Sequence, residues 1–260
     1  MGRLIRQQAI KQDQNPLIDR RYRYDKAGNL KQIDDLKRGT TKFHYDALDR
    51  LKAVDGLTPE RFAFDPAGNL IDTETPASGG YVKGNRLHVF QDYRFEYDDV
   101  GNLVSEKKGK KETRFTYNAQ NQLVKVEKEG QAFEYAYDPF GRRISKKDAF
   151  GETIFLWTGD VLLAEQRQNI NITYLHEPGG FIPLAQVKDG QIYHYHNDHL
   201  GTPQLVTDQQ GEVVWEARYK VYGNVVQYEV EAVENNIRFQ GQYFDAETGL
   251  HYNGIGIIIR

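Results

Sequence analysis

The 260 residues contain no cysteine, which excludes a disulfide framework, a thiolate nucleophile and a cysteine-ligated metal site. No apolar run reaches the length of a membrane span, and Met1 to Gln14 lacks the apolar centre of a signal peptide. As written, the chain is expected to be cytoplasmic, without an export signal of its own. Lys and Arg number 34 against 37 Asp and Glu, a formal charge of −3, which gives no electrostatic case for a nucleic-acid partner. There is no Gly-x-Ser-x-Gly elbow and no phosphate loop ending in Gly-Lys-Ser/Thr. His176-Glu177 fails as the start of a zinc-protease helix because Pro178 follows at once.

What the chain does have is rings. Aromatic residues make up 12%, with 17 Tyr and 13 Phe, while the mean hydropathy is −0.71. A polar chain so rich in rings suggests an extended sheet with aromatic ladders on one face, not a thick core.

Those rings fall in a repeated pattern. Tyr22-Arg23-Tyr24-Asp25-Lys26-Ala27-Gly28-Asn29-Leu30 reads as a strand with both rings on one face, then a type I turn, then a return strand. Asp25 and Gly28 take the first and fourth places of that turn, where those residue types are favoured. The same grammar opens turns at Asp46, Asp65 with Gly68, Asp98 with Gly101, Asn118, and Asp138 with Gly141. Asp49 and Asn121 replace glycine with residue types that tolerate a left-handed backbone. Leu30, Leu51, Leu70, Leu103 and Leu123 share one place after the turn, and Arg143 holds that place in the sixth copy.

A second turn between copies is marked by Gly39, Asp55-Gly56, Gly109, Gly130 and Gly151. One repeat is then two strands and two turns, a stack of hairpins recurring about every 20 residues. The longer step from Phe64 to Tyr97 suggests an inserted loop between Pro76 and Gly84. Gly2-Arg3-Leu4 has the form of the end of a unit, so the chain is expected to begin in mid-repeat. The predicted fold class is all-β, an antiparallel β-hairpin ribbon. Four stretches follow: repeats over 1–149, degenerate repeats over 150–188, an altered return of the pattern over 189–253, and a divergent tail over 254–260.

In the altered region, His196-Asn197-Asp198-His199-Leu200-Gly201 keeps the Asp-x-x-Gly turn and Gly211 marks the next. His194, His196, Asp198 and His199 admit a zinc-site reading. The plainer reading has Asp198 opening a turn and the histidines packing beside Tyr193 and Tyr195, and it leaves no metal or cofactor to be expected. Calcium is not indicated by the recurring aspartates, whose spacing is unlike that of short calcium-loop repeats. Their turn role accounts for them.

These Tyr-Asp-x-x-Gly units resemble the YD repeats of Rhs proteins, relatives of the teneurins and of insecticidal toxin-complex shells. Two segments resemble the Rhs-associated core: Tyr195 to Pro203, with His196, Asp198, His199, Gly201 and Pro203; and Phe239 to Asn253, with Gly241, Tyr243, Asp245, Gly249 and Tyr252. The resemblance covers 2–253. It implies a long β-ribbon spiralling into a hollow shell that encloses a C-terminal toxin, within a protein exported by a bacterial secretion system. The implied partners are the rest of the shell, the toxin and secretion components.

In that family an Arg- and Tyr-rich stretch with Asp-Pro motifs follows, plugs the shell and supplies aspartates for self-cleavage. Here Gly254 to Arg260 follows instead, so a product without toxin, self-cleavage or activity of its own is expected. Ile255, Ile257, Ile258 and Ile259, with the cut ribbon edges, predict self-association of the isolated chain. Two other readings remain beside the shell: a carbohydrate- or protein-binding surface module using Tyr and Trp rings, and a degenerate metal-dependent hydrolase.

Overall fold

Alternation of buried and exposed side chains along the chain, the period-two signature of a one-sided sheet, produces antiparallel strands almost throughout. The computed structural model describes residues 2–11, 13–71, 81–84, 86–254 and 256–258. Among them there is no helix, and the fold is all-β, as the pattern predicts. The chain divides into two compact units: Met1–Tyr81 with Lys220–Tyr222, and Val82–Tyr219 with Gly223–Arg260. In the first unit, a 6-stranded sheet runs in chain order from Arg6–Ile10 to Glu60–Arg61, and Ala63–Phe64 pairs with Leu70–Ile71 as a separate ribbon.

The larger sheet has 16 strands, also in chain order, from Tyr81–Lys83 at one edge to Val225–Glu231 at the other. Hydrogen bonding crosses positions 150 and 189 without a break, so 150–188 forms hairpins as regular as those before it. Most of the expected loop between Pro76 and Gly84 lies outside the described residues, but Tyr81–Lys83 is a strand and not loop. A third sheet in the second unit joins Tyr243–Asp245, Leu250–Asn253 and Gly256–Ile258. The tail residues Ile255 and Ile259 lie outside the described residues, whereas 256–258 pairs with Leu250–Asn253 within the chain.

The turns opened by Asp or Asn share one frame, shown at Asp25. The Asp25 carbonyl accepts from the Gly28 N–H at 3.2 Å, and its Oδ1 accepts from the N–H groups of Gly28 and Asn29 at 2.7 and 2.9 Å. Gly28 has φ +99, and Asp49 and Asn121 take the same left-handed place with φ +58 and +59. The return strand then carries one extra residue: Tyr24 pairs with Leu30 but Arg23 with Gln32, leaving Lys31 as a bulge. Val124, Ile144, Leu163 and Leu184 are the corresponding extra residues later on.

Gly28→Val is expected to cost about 1–3 kcal/mol in strain at a positive φ. A β-carbon there would also press on the Arg3 guanidinium. Lys26→Val, at an exposed turn position, is expected to be nearly neutral. Urea midpoints of the two variants check this, and equal midpoints would show the turn to be misassigned.

The bulge explains why the second ring of a repeat is so often tyrosine. Pairing between a return strand and the next outgoing strand stops at Gln32↔Lys42 and at Lys125↔Glu134, two residues short of Leu30 and Leu123. The tyrosine hydroxyl of the next repeat fills that gap. Tyr45 donates to the Leu30 carbonyl at 2.9 Å and Tyr137 to that of Leu123 at 2.7 Å. Tyr24 donates likewise to Leu4 and Tyr97 to Leu87. Trp157 Nε1 and Asn197 Nδ2 do the same for the carbonyls of Arg143 and Pro183. Tyr137→Phe keeps the ring but strands the Leu123 carbonyl, so a loss of about 1–3 kcal/mol is expected, read from thermal or urea unfolding. An unchanged midpoint would deny the hydroxyl this role.

Candidate functional site

The first ring of each repeat points inward, and between the rings of the larger sheet lies a set of buried polar groups. Arg143 is only 1% exposed and Asp245 is fully buried. Arg143 Nη1 and Nη2 donate to the two oxygens of Asp245 at 2.5 and 3.0 Å, and Lys146 Nζ donates to Asp245 Oδ1 at 3.1 Å. Lys146 also pairs with Glu247 at 2.6 Å. Tyr135, Phe155, Tyr243 and Tyr252 surround the Arg143 guanidinium, with ring centroids 4.6–5.4 Å from its central carbon.

The fold itself explains the arrangement. Arg143 stands in the leucine place, the first position of its return strand, so its side chain points into the ring ladder. Asp245 comes from the hairpin Tyr243–Asp245 with Leu250–Asn253, which lies against that ladder. Burial alone would push the Asp245 carboxyl up. The charges of Arg143 and Lys146 outweigh burial and hold it below the ordinary value. The Lys146 ammonium, which burial would push down, is raised by Asp245 and Glu247.

More anchors run along residues 232–253. Tyr252 Oη accepts the Arg143 backbone N–H at 2.7 Å, and Lys128 Nζ donates to the carbonyls of Glu247 and Thr248. Tyr243 donates its hydroxyl to Glu165 Oε2, and Tyr174 donates to Glu165 Oε1 at 2.7 Å. Burial still raises the Glu165 carboxyl above its ordinary range despite these two donors. Gln186 Nε2 donates to the Glu234 carbonyl, and the Tyr195 hydroxyl donates to Gln186 Oε1 at 2.7 Å and lies 3.1 Å from Asn235 Oδ1. Arg238 lies over Trp215, Tyr228 and Phe244 at 5.7, 6.0 and 4.6 Å. Chemically the site is a clamp. Its charges pair with one another across the sheet, so the site holds residues 232–253 against the ladder.

The sequence-selected residues divide between two structural roles. Asp25, Asp65, Asp98, Asp138 and Asp198 each open a turn whose carbonyl accepts from Gly28, Gly68, Gly101, Gly141 and Gly201 respectively. Asp208 opens a further turn of this kind with Gly211, a tyrosine-free copy that sequence reading had marked only by its glycine. The Asp245 backbone carbonyl accepts from Gly249 N–H at 2.7 Å, as a turn-opening residue would, but its carboxylate turns into the clamp.

Among the core-signature residues, Tyr243, Asp245 and Tyr252 converge on the clamp. Gly241 and Gly249 shape the turns on either side of Tyr243–Asp245, with φ +70 and +80. His196 Nε2 lies 3.0 Å from Thr207 Oγ1, Pro203 is buried at the start of its strand, and His199 is half-buried beside the Asp198 turn. A β-carbon on Gly201 would come within 2.8 Å of the Gln240 side chain, which itself donates to the Leu200 carbonyl. Sequence reading missed Lys146, Glu165, Gln186 and Arg238 as site residues. The local signal for Lys146, Glu165 and Gln186 is a run of three polar residues in a place that Val126 and Val206 fill on either side.

Comparison with known proteins places these features. A teneurin YD-shell family model matches residues 2–254. The chain is 39% identical to double-stranded DNA deaminase toxin A of Burkholderia cenocepacia, over 90% of this chain and 19% of that protein. It is 29% identical to toxin protein Tse5 of Pseudomonas aeruginosa, over 90% of this chain and 24% of that protein. Identity is 28% to the probable deoxyribonuclease RhsB of Dickeya dadantii, over 97% of this chain and 19% of that protein. The chain therefore spans 19–24% of the length of these relatives. Among solved structures it is similar in fold to a Photorhabdus luminescens Tc holotoxin pore, with a TM-score of 0.75 at 18% identity over 99% of this chain and 16% of that one. The TcdB2-TccC3-Cdc42 complex matches with a TM-score of 0.69 at 17% identity over 98% of this chain and 16% of that one.

Proposed function

Because the chain belongs to the teneurin YD-shell family, we propose that it is a wall segment of an Rhs-type toxin shell, which encloses a C-terminal toxin and helps deliver it. The direction of the rings carries this reading. Phe115, Tyr135, Phe155, Tyr174, Tyr195 and Trp215 are buried against one another or against residues 232–253. A module that binds sugars or proteins through stacked rings needs them in an open groove. The strongly exposed rings Phe140 and Phe150 sit apart, at the tips of different turns.

The wall contributes containment and no chemistry. The deaminase and deoxyribonuclease named among its relatives are proteins of which this chain matches about a fifth. Partners in this reading are the remaining shell, the enclosed toxin and the secretion components that export them. The test is limited proteolysis of the chain expressed with its flanking coding sequence, followed by mass spectrometry. The expected result is a C-terminal toxin segment protected until the wall is cut. A C-terminal segment digested while the wall stays intact would overturn the proposal, as would the absence of flanking shell sequence.

A further inference from the structure

The sheet on which residues 232–253 lie is repetitive, and repetition creates a problem of address. The place opposite the first ring of each hairpin is structurally the same: Phe115↔Val126, Tyr135↔Lys146, Phe155↔Glu165, Tyr174↔Gln186 and Tyr195↔Val206. All five first rings are buried, so each hairpin offers the same apolar bed. A segment held by apolar contact alone would find near-equivalent seats on neighbouring hairpins.

The residues in that shared place are different in kind, and in order. After Val126 come a cation, an anion and an amide before Val206 returns. Each of the three polar ones meets its own part of the C-terminal segment. Lys146 takes Asp245 and Glu247, Glu165 takes the Tyr243 hydroxyl, and Gln186 takes the Glu234 carbonyl. The segment thus runs back across the sheet, one hairpin per polar contact. Arg143 adds a second mark on the Lys146 hairpin, where the preceding hairpin has Leu123.

We infer that Arg143, Lys146, Glu165 and Gln186 form an address line that fixes the register of residues 232–253 on a sheet whose apolar bed is degenerate. Buried polar pairs are best attested in this specifying role, because apolar replacements of matched shape hold at least as well but choose less. Fixing the register also fixes where the chain leaves Asn253. This deepens the shell reading, since that point is where an enclosed segment would begin, yet the register can be tested on the chain alone.

The chain has two tryptophans, and both report on the segment. The Trp157 ring meets Tyr252 at 6.0 Å, and Trp215 lies under Arg238. The experiment records the indole N–H signals of the full chain by heteronuclear NMR beside its urea midpoint. Wild type is expected to give one Trp157 signal. R143L/D245L, which removes Arg143 and its carboxylate together and leaves Lys146 paired with Glu247, is expected to keep or raise the midpoint while Trp157 splits into several signals. Arg143→Lys keeps a cation but loses the two-pronged bond, and should lower the midpoint while keeping a single signal. A single wild-type Trp157 signal in R143L/D245L would overturn the inference, as would multiple signals in Arg143→Lys. Failure of the double variant to fold would assign the pair to stability and not to register, which overturns it as well.

Discussion

Asp245→Ala is expected to lower the free energy of unfolding by about 3–5 kcal/mol, a large share of the stability of a domain this size. The substitution leaves the Arg143 guanidinium, 1% exposed, without its carboxylate, and takes one of two anions from Lys146. Neither cation can regain water without lifting residues 243–252 from the rings. The four rings around Arg143 soften the loss, but their attraction for a desolvated cation is about 2 kcal/mol or more per favourable contact only at best. Removing Arg143 as well should return most of the loss, because the cost arises from an orphaned charge and not from the absence of a bond. Urea denaturation of the single and double variants measures both. A single-variant loss below about 1 kcal/mol, the range of an exposed pair, would mean the clamp is open to solvent.

How far the sequence reveals this fold depends on the distance over which each feature is decided. The Asp-x-x-Gly turn is settled within five residues, so Asp25 and Gly28 disclose it unaided, and Asp49 or Asn121 disclose the same backbone through their tolerance of positive φ. The need for a tyrosine hydroxyl was hidden, because it answers a carbonyl left over by the bulge one repeat earlier, as between Tyr137 and Leu123. Arg143 was visible as an oddity in the leucine place. Its partner is not, since Asp245 sits in a segment that looks locally like one more turn, and only the tertiary fold sends its carboxylate across to the sheet. A repeat pattern announces what all copies share. The clamp is made where one copy differs, and the difference has no meaning until the strand that meets it is placed.

Acid is expected to undo the molecule through many small, like-signed contributions. The carboxyls of Asp25, Asp46, Asp65, Asp98 and Asp138 all lie below the ordinary 3.8. At Asp25 the backbone N–H of Asn29 is the main cause. At Asp98 and Asp138 burial pushes the other way and is outweighed, by hydrogen bonds from Asn102 and Arg142 respectively. Asp245 is depressed as well, by Arg143 and Lys146 against its burial. A depressed carboxyl contributes stability that is complete above 3.8 and is lost as the pH falls through its lower folded value. Stability should therefore drop steeply below about pH 4, with several turns and the clamp failing together. Glu165 has the opposite sign, since burial raises its carboxyl above 4.5. Its contribution is complete below 4.5 and fades as the pH rises through the raised value, so E165Q should gain on the wild type in that direction. Asn118 already fills the aspartate place with a side chain that does not titrate in this range, which shows that the turn can be closed without charge. The D98N/D138N variant is accordingly expected to flatten the acid limb while leaving the neutral midpoint close to wild type. Urea midpoints from pH 2 to 8 for the three proteins decide it. An acid limb as steep in D98N/D138N as in the wild type would mean that the turn carboxylates do not govern acid unfolding.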